Sequence, residues 1–154
     1  MRVLPVLAAS SLLLGACATP MDPGPGGPPT GGDGNDCAVI AAIAKEHYRF
    51  NATDNRPPPL WLHGEGSDWR SDCGWGRPGT LFPTYYDPHF SRAGTVGPGP
   101  IQYVQFKRPR YDGRGAVVET SIMHGPLAGM GYECRVHSGF AGWTVGECRS
   151  TWVS

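Results

Sequence analysis

The sequence predicts an α+β domain, in which one N-terminal helix packs on a four-stranded antiparallel sheet, with a long irregular region between them. The first observation is composition: 23 glycines and 16 prolines, about a quarter of the 154 residues, exclude a helical bundle. The second is that one segment alone has helical periodicity. The third is that β-branched and aromatic segments alternate with turn residues in the last third of the chain.

The helix is predicted over residues 37–49. Asn35 or Asp36 can cap its start, because these side chains accept hydrogen bonds from the free amide groups of a first turn. The prolines Pro57–Pro59 exclude any continuation. The apolar positions fall on one face of a 3.6-residue period: Val39, Ile40, Ile43, Ala44, His47 and Phe50.

Residues 51–100 are predicted to be irregular, because glycine, proline and aspartate occur throughout them. Short strands are expected within this region at Leu60–His63 and Thr80–Thr84. Two hairpins follow, the first turning at Asp112-Gly113. Their predicted strands are Ile101–Arg108, Ala116–Met123, Tyr132–His137 and Trp143–Val153, with a Gly-rich loop at His124–Gly131 and a second turn at Ser138–Gly142.

The N-terminus has the pattern of an export signal. Met1-Arg2 provides a positive start, and Val3–Leu14 is mostly apolar. As a helix this run would span roughly 18 Å, too short for the ~30 Å hydrocarbon core of a bilayer. Its length is typical of a secretory signal peptide.

The motif Leu14-Gly15-Ala16-Cys17 follows at once and resembles the lipobox of bacterial lipoproteins. The resemblance implies that residues 1–16 are removed as a lipoprotein signal peptide and that Cys17 carries diacylglycerol. Two or three acyl chains would anchor the chain stably. Ala18, where Asp commonly signals retention in the inner membrane, implies transfer to the outer membrane. The alternative is an ordinary signal peptide with an incidental cysteine.

Residues 17–34 are interpreted as the lipidated cysteine and a tether. Pro20–Gly34 contains five prolines and six glycines, and Met21 is its one apolar side chain of any size. Such a segment buries too little surface to offset the entropy lost on ordering. The folded domain is therefore expected over residues 35–154.

Four cysteines remain after Cys17, and an even number in an exported domain predicts two disulfides. Three connectivities are possible. We favour Cys134–Cys148, because a three-residue loop at 140–142 would set these residues opposite each other. That register places Trp143 and Val145 on the face opposite Tyr132 and Val136 unless a β-bulge shifts the strand. Cys37–Cys73 follows by elimination, and the alternatives are a reactive thiol or a metal site, although no CxxC pair is present.

Candidate ligand-binding residues are Trp61, His63 and Trp69, in a segment that also holds carboxylates. Tryptophan faces and carboxylates are typical of a sugar or peptidoglycan contact. The alternative is a turn-rich loop whose tryptophans fill a small core. His124 is a fourth candidate, and with Glu119 it would provide general acid–base chemistry if the two lay about 3 Å apart.

A basic cluster lies near the first hairpin, at Lys107, Arg108, Arg110 and Arg114, beside aromatic residues. It would suit anionic lipopolysaccharide, teichoic-type polymers or membrane head groups. The alternative is a set of solvated strand edges that discourage edge pairing.

The sequence therefore favours a non-enzymatic lipoprotein of the outer membrane that acts as a binding or structural module for an envelope protein or polymer. The alternative is a cell-envelope hydrolase or transferase that uses Glu119 and His124. No cofactor, metal or catalytic residue is predicted. The 13 basic and 13 acidic side chains balance, which excludes a nucleic-acid binder driven by bulk charge. The C-terminal segment, from Gly125-Pro126 to Trp152-Val153-Ser154, resembles the ending of many small uncharacterised exported bacterial proteins.

Overall fold

A computed structural model describes residues 35–64, 69, 73–86 and 102–154 of the chain. The predicted signal peptide, the lipobox with Cys17 and the tether lie outside these residues, so they stay predictions. The described helix and strands and both disulfides fall within residues 35–154, and this part of the chain carries its own core. Among the described residues, no helix is long and apolar enough to cross a bilayer.

Helix α1 spans Asn35–Glu46, so it begins two residues before the predicted start and ends three before the predicted end. It ends early because Arg49 adopts a left-handed conformation, with φ of 62°, which reverses the chain. The amide of Phe50 then donates to the carbonyl of Ala44 at 2.9 Å. The predicted apolar face is confirmed, since the side chains that it buries include Val39, Ile40, Ile43 and Ala44.

The α+β class is confirmed, but the sheet is mixed and has six strands rather than four antiparallel ones. The strands are β1 Leu60–His63, β2 Tyr103–Lys107, β3 Arg110–Tyr111, β4 Ala116–Gly125, β5 Ala128–Gly139 and β6 Gly142–Val153. Their order in the sheet is β1-β2-β4-β5-β6, β3 pairs with β4, and β1 runs parallel to β2.

Pro109 accounts for the extra short strand. Proline has no amide hydrogen for a ladder bond, so it interrupts the antiparallel pairing with β4. Phe106 still pairs with Thr120, but the pairing resumes at Arg110 with Val117 after one additional residue. The predicted strand Ile101–Arg108 therefore corresponds to β2, and β3 is an additional short strand beyond its predicted end.

Two predictions for connecting segments are wrong. Thr80–Thr84 forms no strand, although Tyr85 makes an isolated parallel bridge with Leu60. The predicted Gly-rich loop at His124–Gly131 is mostly strand, because β4 continues to Gly125 and β5 starts at Ala128. Gly131 is needed for packing against a distant residue rather than for a turn, because a Cβ atom on Gly131 would overlap the indole of Trp152.

Both predicted disulfides are present, Cys37–Cys73 and Cys134–Cys148. The turn of the second hairpin is shorter than predicted, because Gly139 pairs directly with Gly142 across two residues. The extra residue is inserted instead at Gly146, where the register shifts by one. This is the bulge that the cysteine register requires.

The two faces of the sheet differ in character. The inner face packs against α1, and the core between them is fully buried. The outer face carries polar side chains, among them a row of neighbouring residues on successive strands. His63 pairs with Lys107, Nζ of Lys107 lies 2.6 Å from Glu119, and Glu119, Glu133 and Arg149 pair in turn across β4, β5 and β6.

Candidate functional site

A cleft of about 410 Å³ opens where the parallel strands β1 and β2 end. Because His63 pairs with Lys107, the ends of both strands lie side by side. The cleft combines the tryptophan segment with three of the four residues of the basic cluster, and Arg114 does not line it. We name it the Trp69 cleft, and it is lined by His63, Gly64, Trp69, Lys107, Arg108, Pro109, Arg110 and Glu119.

Trp69 is held against the sheet by its backbone. Its amide donates to the carbonyl of Leu62 at 3.2 Å, which fixes the residue beside the end of β1. The guanidinium carbon of Arg108 lies 5.8 Å from the centroid of the indole ring. This distance is within the range of a cation–π contact.

The orientation of Arg108 depends on a buried carboxylate. Asp36 is 1% exposed and lies in the first turn of α1. Its Oδ2 lies 3.6 Å from Nε of Arg108, and its Oδ1 accepts a hydrogen bond of 2.6 Å from the hydroxyl of Tyr111. The start of the helix therefore holds one wall of the cleft in place.

The disulfide Cys37–Cys73 strengthens the same junction. Cys37 follows Asp36 in the helix, and Cys73 lies four residues after Trp69. The bond joins residues that are 36 positions apart in the sequence. It therefore keeps the segment that carries Trp69 close to the start of α1.

The ion pairs of the cleft are partly solvated. Nζ of Lys107 lies 2.6 Å from Oε2 of Glu119, while Arg110 lies 3.6 Å from Glu119 and 3.5 Å from Glu133. The described residues of the lining include three cations and one carboxylate. Each cation lies within 3.6 Å of a carboxylate oxygen, Lys107 and Arg110 beside Glu119 and Arg108 beside Asp36. Both oxygens of Glu119 are occupied by these cations.

Glu119 and His124, the predicted acid–base residues, are not in contact. His124 is exposed and lies five residues beyond Glu119 on β4, which corresponds to roughly 17 Å. His124 does not line the Trp69 cleft, whereas His63 and Glu119 do. The ring of His137 lies instead beside the carbonyl of Arg114, at 3.4 Å.

Trp61 lies next to the Trp69 cleft but outside its lining. Its ring centroid is 5.0 Å from that of His63 and 5.4 Å from that of Tyr103. Tyr103 stacks on Tyr86 at 4.5 Å. Trp61 therefore belongs to an aromatic cluster on the outer face of the sheet, where it supports His63.

A second and larger cleft, of about 670 Å³, was not predicted. It lies between the C-terminal end of α1 and the segment 79–83, and we name it the Phe50 cleft. Lys45 lies in α1, but most residues of this cleft come from the irregular segments 51–57 and 79–83, so the sequence pattern gave no signal that they share a cleft. It is lined by Lys45, Phe50, Asn51, Ala52, Arg56, Pro57, Gly79, Thr80, Leu81 and Pro83.

One cluster among the described residues has the composition of a metal site. Ligand atoms of His47, Cys134 and Cys148 lie within 4.8 Å of one another. The two sulfurs are joined as a disulfide, and a disulfide offers no thiolate to a metal ion. In the oxidised protein the cluster is therefore structural, and burial lowers the pKa of His47.

A comparison of the chain with protein-family models, with curated proteins and with solved structures finds no match.

Proposed function

We propose that this protein is a lipoprotein anchored to the outer membrane through Cys17, and that its folded domain is a non-enzymatic module that binds an anionic polymer of the cell envelope. The lipobox Leu14-Gly15-Ala16-Cys17 supports the anchor. The Trp69 cleft supports the binding role, and the observation on which that role depends is the grouping of three cations beside an indole ring.

The chemistry of the cleft suits sugars that carry phosphate or carboxylate groups. Guanidinium groups bind such anions in a bidentate geometry, and a tryptophan ring provides a flat surface for a sugar ring. Arg108 and Trp69 are adjacent in the cleft, with the guanidinium carbon 5.8 Å from the centroid of the indole ring. Phosphorylated lipopolysaccharide has both chemical features.

The ion pairs of the cleft would exchange partners on binding. The side chains of Lys107, Arg110 and Glu119 are 45%, 64% and 37% exposed. Solvated pairs contribute little to stability, so a ligand anion can replace Glu119 beside the cations at small cost. Binding of this kind weakens as salt is added.

The alternative, a hydrolase or transferase that uses Glu119 and His124, has less support. Their separation along β4 prevents direct proton transfer between them, and Glu119 is engaged by two cations. His63 and Glu119 line one cleft, but His124 lies outside it, so the predicted acid–base pair does not form.

Binding of lipopolysaccharide to residues 18–154 tests the proposal. We expect the double variant Lys107→Gln/Arg110→Gln to bind about tenfold more weakly, as expected for the loss of charge-assisted contacts. The matched control Arg114→Gln/Arg149→Gln removes the same charge outside the cleft and should bind like the unchanged protein. Equal affinities of all three proteins would overturn the binding role.

A further inference from the structure

We propose that the Phe50 cleft is a second binding site, which takes a single-chain amphiphile with an anionic head group, such as a medium-chain fatty acid. This inference is independent of the Trp69 cleft and of the ligand proposed for it. A volume of about 670 Å³ falls within the usual range for small-molecule sites.

Part of the wall of the Phe50 cleft is formed by apolar side chains. Phe50 stacks on Tyr48 at 5.2 Å and meets Phe82 edge-on at 6.3 Å, so its ring is held rigidly. Pro57, Leu81 and Pro83 supply further apolar surface. This surface would contact the hydrocarbon chain of a ligand.

The neutral polar side chains of the wall are already engaged. Oδ1 of Asn51 accepts the amides of Thr53 at 2.8 Å and Asp54 at 2.7 Å. The hydroxyl of Thr80 donates to the carbonyl of Arg77 at 2.7 Å. Because these groups already have hydrogen-bond partners, they are not expected to bind a polar group of a ligand. The polar contacts of a ligand would therefore be made by the two cations of the lining, Lys45 and Arg56.

The charge of the lining selects an anion. Lys45 and Arg56 are the charged residues of the cleft, both are basic and exposed, and neither forms an ion pair among the described residues. Nε of Arg56 donates to the carbonyl of Ala52 at 3.2 Å, which holds the guanidinium beside the cleft. An anionic head group would pair with these cations.

The cleft is preformed by local structure. The hydrogen bonds of Asn51 close a tight turn, and Nδ2 of Asn55 donates to the carbonyl of Tyr48 at 2.9 Å. Pro57–Pro59 restrict the backbone that follows. A ligand would therefore lose little affinity to the ordering of the protein.

The test uses residues 18–154 and three probes, with binding followed by titration calorimetry below the concentration at which each probe self-associates. Dodecanoate, which has both a chain and a charge, should bind at one saturable site. Dodecanol lacks the charge and should bind about tenfold more weakly, and acetate lacks the chain and should not bind measurably. Equal binding of dodecanoate and dodecanol, or uptake at many sites, would overturn the proposal.

Variants locate the site. Lys45→Gln/Arg56→Gln should weaken dodecanoate binding about tenfold and leave dodecanol binding unchanged. Arg114→Gln/Arg149→Gln is the matched control for charge and should have no effect. Ala52→Trp places a ring in the cleft from an exposed position and should abolish binding of both chains. Unchanged dodecanoate affinity in the first and third variants would show that the ligand binds elsewhere.

The variant Lys107→Gln/Arg110→Gln, which is used in the lipopolysaccharide experiment, should bind dodecanoate with the affinity of the unchanged protein. Loss of dodecanoate binding in this variant would contradict the independence of the two sites. Failure of the lipopolysaccharide experiment alone would leave the Phe50 cleft standing, so the two proposals can fail separately.

Discussion

Asp36 is the residue on which the junction of the helix, β3 and the Trp69 cleft depends. A buried carboxylate is costly unless it is paired and hydrogen-bonded. Asp36 meets this requirement through the hydroxyl of Tyr111 and the guanidinium of Arg108, and it lies at the helix start, where the helix dipole favours a negative charge.

Removal of the Tyr111 hydroxyl tests this arrangement. Tyr111→Phe should lower the free energy of unfolding by about 1.5–3 kcal/mol, because a hydrogen bond to a charged, buried group is lost. Urea unfolding measures the change. Tyr86→Phe is the control, since no hydrogen bond of its hydroxyl is found among the described residues, and a loss of the same size there would contradict the assignment.

His47 should make stability depend on pH. Burial lowers the pKa of His47 in the folded state, so below about pH 6.5 the unfolded chain binds a proton that the folded chain does not. The free energy of unfolding should therefore fall as the pH drops from 7 to 5. His47→Gln should flatten this slope, whereas His137→Gln, at an exposed position, should retain it, and identical slopes in the two variants would refute the role of His47.

At the scale of the element, the β5–β6 hairpin combines a disulfide, a bulge and close packing of glycine against tryptophan. Cys134 pairs with Cys148, and the bulge at Gly146 restores the core-facing register beyond it. Trp152 lies over Gly131 and Gly129 on the outer face. The glycines are therefore required for packing rather than for a turn.

Gly131→Ala should destabilise the protein by about 1–3 kcal/mol, because the new Cβ overlaps the indole of Trp152. Gly125→Ala is the control, since no atom lies within 4 Å of a Cβ built there. Thermal unfolding of both variants checks the prediction. Combination with Trp152→Ala should recover part of the loss, and no recovery would mean that the indole is not the cause.

At the scale of the whole molecule, the two disulfides differ in what they connect. Cys134–Cys148 joins neighbouring strands across a separation of 14 residues, whereas Cys37–Cys73 joins the helix to the segment of Trp69. Loss of either bond should cost about 2–4 kcal/mol of stability. The effects on binding should differ.

Cys37→Ser/Cys73→Ser should weaken lipopolysaccharide binding in addition to lowering stability, because the Trp69 cleft loses its connection to the helix start. Cys134→Ser/Cys148→Ser should lower stability by a similar amount and leave binding unchanged. Both are measured under conditions in which each variant is folded. Equal effects on binding would contradict a positioning role for Cys37–Cys73.

The predicted anchor is also a property of the whole molecule, because it determines where both clefts act. Cys17→Ser should abolish incorporation of labelled palmitate and leave an uncleaved precursor. Fractionation of the envelope should then find less protein in the outer membrane. Unchanged palmitate incorporation would refute lipid attachment at Cys17.

Much of the element order could be predicted from local pattern. The helix face, the strand Leu60–His63, the hairpins and both disulfides follow from periodicity, turn residues and cysteine count. The division of β2 from β3 and the extension of β5 through Gly129 and Gly131 could not, because each depends on contacts between residues far apart in the sequence.

The candidate sites were likewise predictable from the sequence only in part. The sequence by itself determined which residue types are present: Trp61, His63 and Trp69 in one segment, and the cations near Pro109 in another. The tertiary structure decided that His63 and Trp69 share a cleft with these cations, that His124 lies outside this cleft, and that Phe50 and Leu81 line a second cleft. The physical reason is that local patterns follow from the chemistry of neighbouring residues, whereas a cleft depends on strand register and on the packing of distant segments.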